Sequence, residues 1–235
     1  MSKDTFHFRQ FTIHQDRCAM KVGTDGVLLG AWAEGGRRIL DVGCATGIIA
    51  LMMAQRFPRA EVTGIDIDAE ACGQARDNVG ASPFAPRVDI ACKAIQEWTG
   101  GAYDSIVSNP PFFVGCLTSP DTRRTLARHA ASLPFDELFG AVCRLLTPDG
   151  VFSAIVPTQA EEAFSAEAYI RGLRATRRQL VRTTPRKQAK RVLLAYRRTA
   201  SPLPPDETFG ATVNLLNPDG SRSDWYGQLT KEFLL

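Results

Sequence analysis

The chain has 235 residues, 44% hydrophobic and 23% charged, the composition of an ordinary globule able to bury a sizeable core, and its length predicts a single α/β domain over residues 1–235. The apolar runs Val27–Ala33 and Gly47–Ala54 are far too short to span a bilayer, and Met1–Gln10 lacks the apolar core of a signal peptide. Six scattered cysteines (Cys18, Cys44, Cys72, Cys92, Cys116, Cys143) without a C-x-x-C pair argue against a zinc site or a disulfide framework, so a cytoplasmic protein with no membrane and no metal is expected.

Taken in order, Phe6-His7-Phe8 and Phe11-Thr12-Ile13 alternate apolar with polar and predict two short strands. Thr24 or Asp25 is placed to cap a helix running to about Ala33. Arg38–Val42 is a buried strand, Gly43-Cys44-Ala45-Thr46-Gly47 a loop of small residues, and Ile48–Phe57 a helix. Strand, small loop and helix form the context in which nucleotide folds approach a ligand with backbone. Neither a G-x-x-x-x-G-K-[ST] nor a G-x-G-x-x-G is present, so the loop admits a bulky ligand that need not be a phosphate. A second strand, Ala60–Ile65, ends at Asp66, nineteen residues after Gly47 and close to the spacing of a carboxylate that grips ribose hydroxyls. Asp68 is placed to cap the following helix to about Val79, which leaves Asp66 free.

Arg87–Cys92 and Tyr103–Ser108 are further strands. The second stops at Asn109-Pro110-Pro111-Phe112, where two prolines remove ladder donors and hold Asn109 extended at a strand's carboxyl end. Its side-chain amide, the carbonyls of Asn109 and Pro110, and the flat face of Phe112 suit a planar group that bears an amine; a plain Pro-Pro turn with Phe112 in the core is the alternative. Phe113–Leu133, with Arg123, Arg124, Arg128 and His129, predicts a long loop over that site, a candidate lid. A helix over Phe135–Leu146, a strand over Val151–Val156, a helix over Glu161–Leu173 and strands near Arg177–Arg182 and Arg191–Tyr196 follow. The net charge of +3 conceals an asymmetry: Arg171–Arg198 holds eleven of the 28 basic residues and no acid, while the rest of the chain is net acidic. Such a segment is a candidate footprint for nucleic acid, with Arg177, Arg178, Arg182, Arg186, Lys187, Lys190 and Arg191 as candidate RNA contacts. Ser201–Pro205 is a stiff linker and Ser223 a cap for a helix from Asp224 to Phe233.

Asp41-Val-Gly-Cys-Ala-Thr-Gly47, then Asp66, then Asn109-Pro-Pro-Phe112, resembles the class I S-adenosylmethionine-dependent methyltransferases. More narrowly, Asp16-Arg-Cys-Ala-Met-Lys-Val-Gly-Thr-Asp-Gly26 and Gly30-Ala-Trp32 resemble the bacterial tRNA(Val) adenine-37 N6-methyltransferases. The likeness covers nearly the whole chain, including Arg191-Val-Leu-Leu-Ala195 and Trp225-Tyr226 to Leu235. It implies a Rossmann-like α/β fold with a seven-stranded, mostly parallel sheet, helices on both faces, an N-terminal addition (1–35) whose helix caps the cofactor, and a C-terminal extension (201–235). It implies S-adenosyl-L-methionine as cofactor and a tRNA anticodon loop as partner. Carried over, Asp41, Gly43, Ala45 and Gly47 would surround the methionine part, Asp66 would bind the ribose hydroxyls, Thr24 and Asp25 would close the pocket, and Cys44 and Ile67 would be further cofactor contacts. Asn109 would touch both cofactor and base, and Asn109, Pro110, Pro111 and Phe112 would form the catalytic element.

Three departures accompany the likeness. Ala45 stands where a glycine is usual, no acid stands at Cys92-Lys93-Ala94 for the cofactor's adenine amine, and Phe112 stands where adenine enzymes commonly carry Tyr. The rival readings are a guanine N2-methyltransferase acting on rRNA, a glutamine N5-methyltransferase acting on protein, and a non-catalytic RNA-binding protein on the same scaffold.

Overall fold

A computed structural model describes residues 4–18, 20–111, 133–202 and 208–235. Phe112 and all of the candidate lid except Leu133 lie outside the described residues. β1 (Thr5–His7) and β2 (Thr12–His14) pair antiparallel as a separate ribbon. Phe8 and Phe11 stack with ring centroids 4.6 Å apart and join the core.

The main body alternates strand and helix: α1 (Thr24–Trp32), β3 (Arg38–Val42), α2 (Ile48–Arg56), β4 (Glu61–Asp66), α3 (Ala69–Gly80), β5 (Val88–Cys92) and β6 (Tyr103–Ser108). It continues with α4 (Phe135–Leu145), β7 (Leu146–Pro157), α5 (Glu161–Ile170), β8 (Leu173–Arg182), β9 (Arg191–Arg198), β10 (Thr208–Asn214) and α6 (Asp224–Thr230). Helix boundaries fall close to the expected ones because the caps are legible: Asp68 accepts from Glu70 N and Ala71 N, and Ser223 accepts from Tyr226 N.

β3–β10 form one sheet in the order β10-β8-β9-β7-β6-β3-β4-β5. All neighbours are parallel except β9, which runs antiparallel to β7 and β8. The sheet has eight strands where seven are expected, because the C-terminal extension adds β10 at the edge, parallel to β8. Thr208–Asn214 alternates Phe209, Ala211 and Val213 with small or polar residues, a strand pattern that pairing with β8 completes. A Cβ on Gly210 would lie 2.5 Å from Gln179 Oε1, so the glycine lets the edge strand approach β8.

Two apolar layers flank the sheet. One packs α1, α2, α3, α6 and the β1–β2 ribbon on one face, and the other packs α4 and α5 on the opposite face. α2 is apolar all round and buried from Ile48 to Ala54, as a helix held between sheet and α1 must be. α1 lies close to α2 at Gly30, where a Cβ would fall 2.8 Å from Met52 Sδ and 2.9 Å from Met52 Cβ. Arg56 Nη1 then closes the carboxyl end of α1 by donating to the carbonyls of Gly30 (2.9 Å) and Ala33 (2.6 Å). Burial pulls the Arg56 guanidinium down to about 10, with the nearby Arg177 charge adding to it. No helix among the described residues is long and apolar enough to cross a membrane.

The chain runs β3-β4-β5 to one side and then crosses to β6 on the other side of β3. The strand order reverses between β3 and β6, and in open α/β sheets the crevice outside the carboxyl ends at such a point takes the ligand. The small-residue loop after β3 and Asn109 after β6 both stand there.

Candidate active site

The loop from Gly43 to Gly47 depends on unusual backbone geometry. Gly43, Ala45 and Gly47 have φ of 73°, 46° and 80°, all left-handed. Gly43 N and Cys44 N both donate to Ile65 O, at 2.9 and 3.0 Å, which pins the loop to β4. A Cβ at Gly43 would meet nothing within 4 Å, so the missing side chain leaves open space. Ala45 is the one non-glycine residue with positive φ among the described residues. The strain of that conformation, about 1–2 kcal/mol, is held by a hydrogen bond from Ala45 N to Asp66 Oδ2 at 2.9 Å.

Asp66 is therefore both a loop clamp and an accessible acid. Its Oδ1 accepts from Asp68 N at 3.0 Å. A carboxylate has about four acceptor positions, so two remain for a ligand beside the exposed Ile67. Asp41 differs from expectation: it is wholly buried at the end of β3 and touches no open space. Gly47 is the N-cap of α2 and has no side chain to offer, so Asp41 Oδ2 takes its place by accepting from Ala50 N at 3.0 Å. Asp41 Oδ1 has no partner among the described residues. Burial pushes the carboxyl up to about 7, against the pull of the Ala50 N–H.

A cavity of about 350 Å³ opens beside the loop, lined by Gly43, Cys44, Ala45 and Thr46 on one side and by Gly23, Thr24, Asp25 and Gly26 on the other. Asn109 and Arg191 also face it. The expected cap by Thr24 or Asp25 is corrected: Gly23 is the N-cap of α1, with no side-chain bond, and both residues stand inside the first turn. That placement puts both residues in the cavity wall. Asn109 has no hydrogen-bond partner among the described residues, and Pro110 is buried behind it. Asp66 and Ile67 are not in the wall of this cavity but lie across the loop from it. Lys93 N donates to Asp66 O at 2.8 Å, so the stretch without an acid is tied down through backbone. Met20, Lys21, Ile48 and Ile49 complete the wall and were not singled out by the sequence; the two isoleucines look like core there.

A family model described as "Methyltransferase small domain" matches residues 22–134. A protein of Phocaeicola vulgatus named tRNA1(Val) (adenine(37)-N6)-methyltransferase is 46% identical over 241 residues, covering 100% of this chain and 99% of its own. A protein of the same name from Aeromonas hydrophila is 42% identical, covering 98% and 97%. The chain belongs to this methyltransferase family. Among solved structures, a predicted O-methyltransferase of Agrobacterium tumefaciens superposes with a TM-score of 0.66 at 19% identity over 89% of this chain and 96% of its own. A T. Thermophilus 16S rRNA N2 methyltransferase, in complex with AdoMet and guanosine, gives 0.56 at 22% identity over 83% and 50%. At such identities these two likenesses speak for the fold alone.

The structure redistributes the basic segment. Arg178 makes a two-pronged pair with Glu161, and Arg177 pairs with Glu34 at 3.3 Å while its guanidinium lies 4.1 Å above the Trp32 ring. Arg182 donates to Asn214 Oδ1 and Arg191 to Asp25. Each of these four arginines, named above as candidate RNA contacts, thus bonds a side chain of a neighbouring element. Arg197 donates to Glu34 Oε2, the acid it shares with Arg177, and to the carbonyl of Asp149, and Arg198 donates to the carbonyls of Cys143 and Leu146. Arg186, Lys187 and Lys190 are exposed in the β8–β9 connection and have no ion-pair partner among the described residues. Val181 and Pro157 both register with Arg191, which puts that connection at the carboxyl edge of the sheet with Asn109.

Proposed function

We propose that this chain transfers a methyl group from S-adenosyl-L-methionine to the exocyclic N6 amine of adenine-37 in a tRNA(Val) anticodon loop, in the cytoplasm. The observation that carries the reading is the shared cavity: Asn109, at the carboxyl end of β6, faces the same space as Gly43–Ala45, across the switch point of the sheet.

The residues present fit the cofactor. The glycine-shaped loop leaves a cradle that a Cβ at Gly43 would fill, and Asp66 keeps acceptor capacity at the end of β4. Gly43–Thr46 with the first turn of α1 would hold the methionine part, and Asp66 with Ile67 the ribose. When bound, the cofactor supplies a methyl group on a sulfonium, which needs orientation more than activation.

An exocyclic amine is a poor nucleophile because its lone pair is delocalised into the ring. Asn109 Oδ1 and the Pro110 carbonyl would accept its two N–H bonds and favour the pyramidal, attacking form. Pro110 and Pro111 fix the backbone, so these acceptors are preorganised. The nitrogen becomes acidic on methylation and gives its proton to water, so no buried base is required. The base leaves its stack to enter the crevice, the mode expected for chemistry on a nucleobase, and Phe112 would stack on it. Arg186, Lys187 and Lys190 stand at the same edge to meet phosphates.

Incubating RNA that lacks the modification with labelled cofactor, then analysing nucleosides, tests the proposal. N6-methyladenosine at position 37 is expected. N2-methylguanosine would overturn the base, and methylglutamine in protein the substrate class.

A further inference from the structure

Of the three charged residues in the cavity wall, Lys21, Asp25 and Arg191, two that are far apart in the chain meet there: Asp25 from the first turn of α1 and Arg191 from the start of β9. Arg191 Nε donates to Asp25 Oδ2 at 2.7 Å, and Arg191 Nη1 donates to Lys190 O at 3.1 Å. A guanidinium has five N–H donors, so about three remain on Arg191, and the second oxygen of Asp25 stays available as an acceptor. Both side chains are part-buried, with 37% and 27% of their surface exposed. The cavity thus presents a positive and a negative group side by side, each with unused hydrogen-bonding capacity.

We propose that Arg191 and Asp25 together read the amino-acid end of the cofactor, Arg191 taking its α-carboxylate and Asp25 its α-ammonium. The inference rests on the methyl-transfer reading above and assigns Arg191 to the cofactor instead of to RNA. An α-amino acid carries opposite charges on one carbon, and a preassembled pair of opposite charges matches both at once. The two protein charges neutralise each other while no ligand is present, so neither is left as an unpaired, partly desolvated charge. On binding, four alternating charges share one site with little rearrangement, which keeps the cost of ordering low. The long reach between the partners, 166 residues apart in sequence, also joins the α1 wall of the pocket to the strand that carries the basic connection.

Calorimetry on the full chain with two probes tests this. S-adenosylhomocysteine has the amino-acid end; 5′-methylthioadenosine has the same adenosine and sulfur without it. Arg191→Gln is expected to weaken S-adenosylhomocysteine about tenfold to a hundredfold, the usual effect of losing hydrogen bonds to charged groups. Affinity for 5′-methylthioadenosine is expected to stay within about twofold, which also reports that the variant is folded. Asp25→Asn should show the same selectivity, and Arg191→Lys should restore part of the loss. Equal losses for both probes, or unchanged S-adenosylhomocysteine binding in both variants, would overturn the inference while leaving methyl transfer intact. Failure of the unaltered chain to bind either probe would overturn the functional reading itself.

Discussion

Asp41→Asn tests the most unusual electrostatic feature of the site. Asp41 is wholly buried, accepts one hydrogen bond from Ala50 N at 3.0 Å, and leaves its second oxygen without a partner among the described residues. Burial raises its carboxyl from the ordinary value of 3.8 to about 7. A carboxyl raised on folding contributes stability that is fully present below its unfolded value and is lost as pH rises through its folded value. The window therefore runs from about pH 4 to about pH 7. At 1.36 kcal/mol per pH unit, the gap amounts to about 4 kcal/mol. Asn keeps an acceptor for Ala50 N and carries no charge, so its contribution does not change with pH. The assay is urea denaturation of both proteins without cofactor, at half-unit steps from pH 4.5 to 8. Subtracting the two profiles removes every other titrating group. The variant should gain on the unaltered protein steadily as pH rises, and the gain should level off above about 7. Parallel profiles would refute the argument, because they would mean that Asp41 keeps its charge on folding at no cost.

The remaining expectations concern particular contacts. Asn109→Ala should lower turnover at least a hundredfold, in line with the loss of one preorganised polar group at a reaction centre, while calorimetry finds cofactor affinity largely retained. Asp66→Ala should weaken the cofactor by about 1.5–3 kcal/mol; unchanged affinity would contradict its place at the ribose. Gly30→Ala should cost about 1–3 kcal/mol in urea unfolding, as overpacking does, because its Cβ would collide with Met52. Replacing Arg186, Lys187 and Lys190 by Gln should flatten the salt dependence of RNA binding by about 0.7–0.9 in slope per lost phosphate contact. Replacing Arg177 and Arg178 should instead lower stability with the slope unchanged.

What the sequence determined by itself is what local chemistry determines. The β-branched run of Ile106-Val107, the Pro-Pro stop after Asn109, the caps at Asp68 and Ser223, and the small loop before α2 each depend on neighbours within a few residues. Those signals located the strand ends, and the strand ends located the crevice. The resemblance of the motifs in turn predicted a family that the full-length relatives bear out. Tertiary structure decided where charge goes. Eleven basic residues in one segment look alike in sequence, yet pairing β8 with β9 folds the segment back on itself, so its two ends meet at one edge of the sheet and its middle, from Arg182 to Arg191, stands at the other. Glu34 and Glu161 then claim Arg177 and Arg178, and Asp25 turns Arg191 into the cavity. Asp41 looks like a ligand residue and folds into a buried cap, because Gly47 can provide none. β10 finds its place in the sheet at the edge that β8 offers. An ion pair, a borrowed cap and an edge strand all join residues distant in the chain, and no local pattern encodes which distant partner will be met.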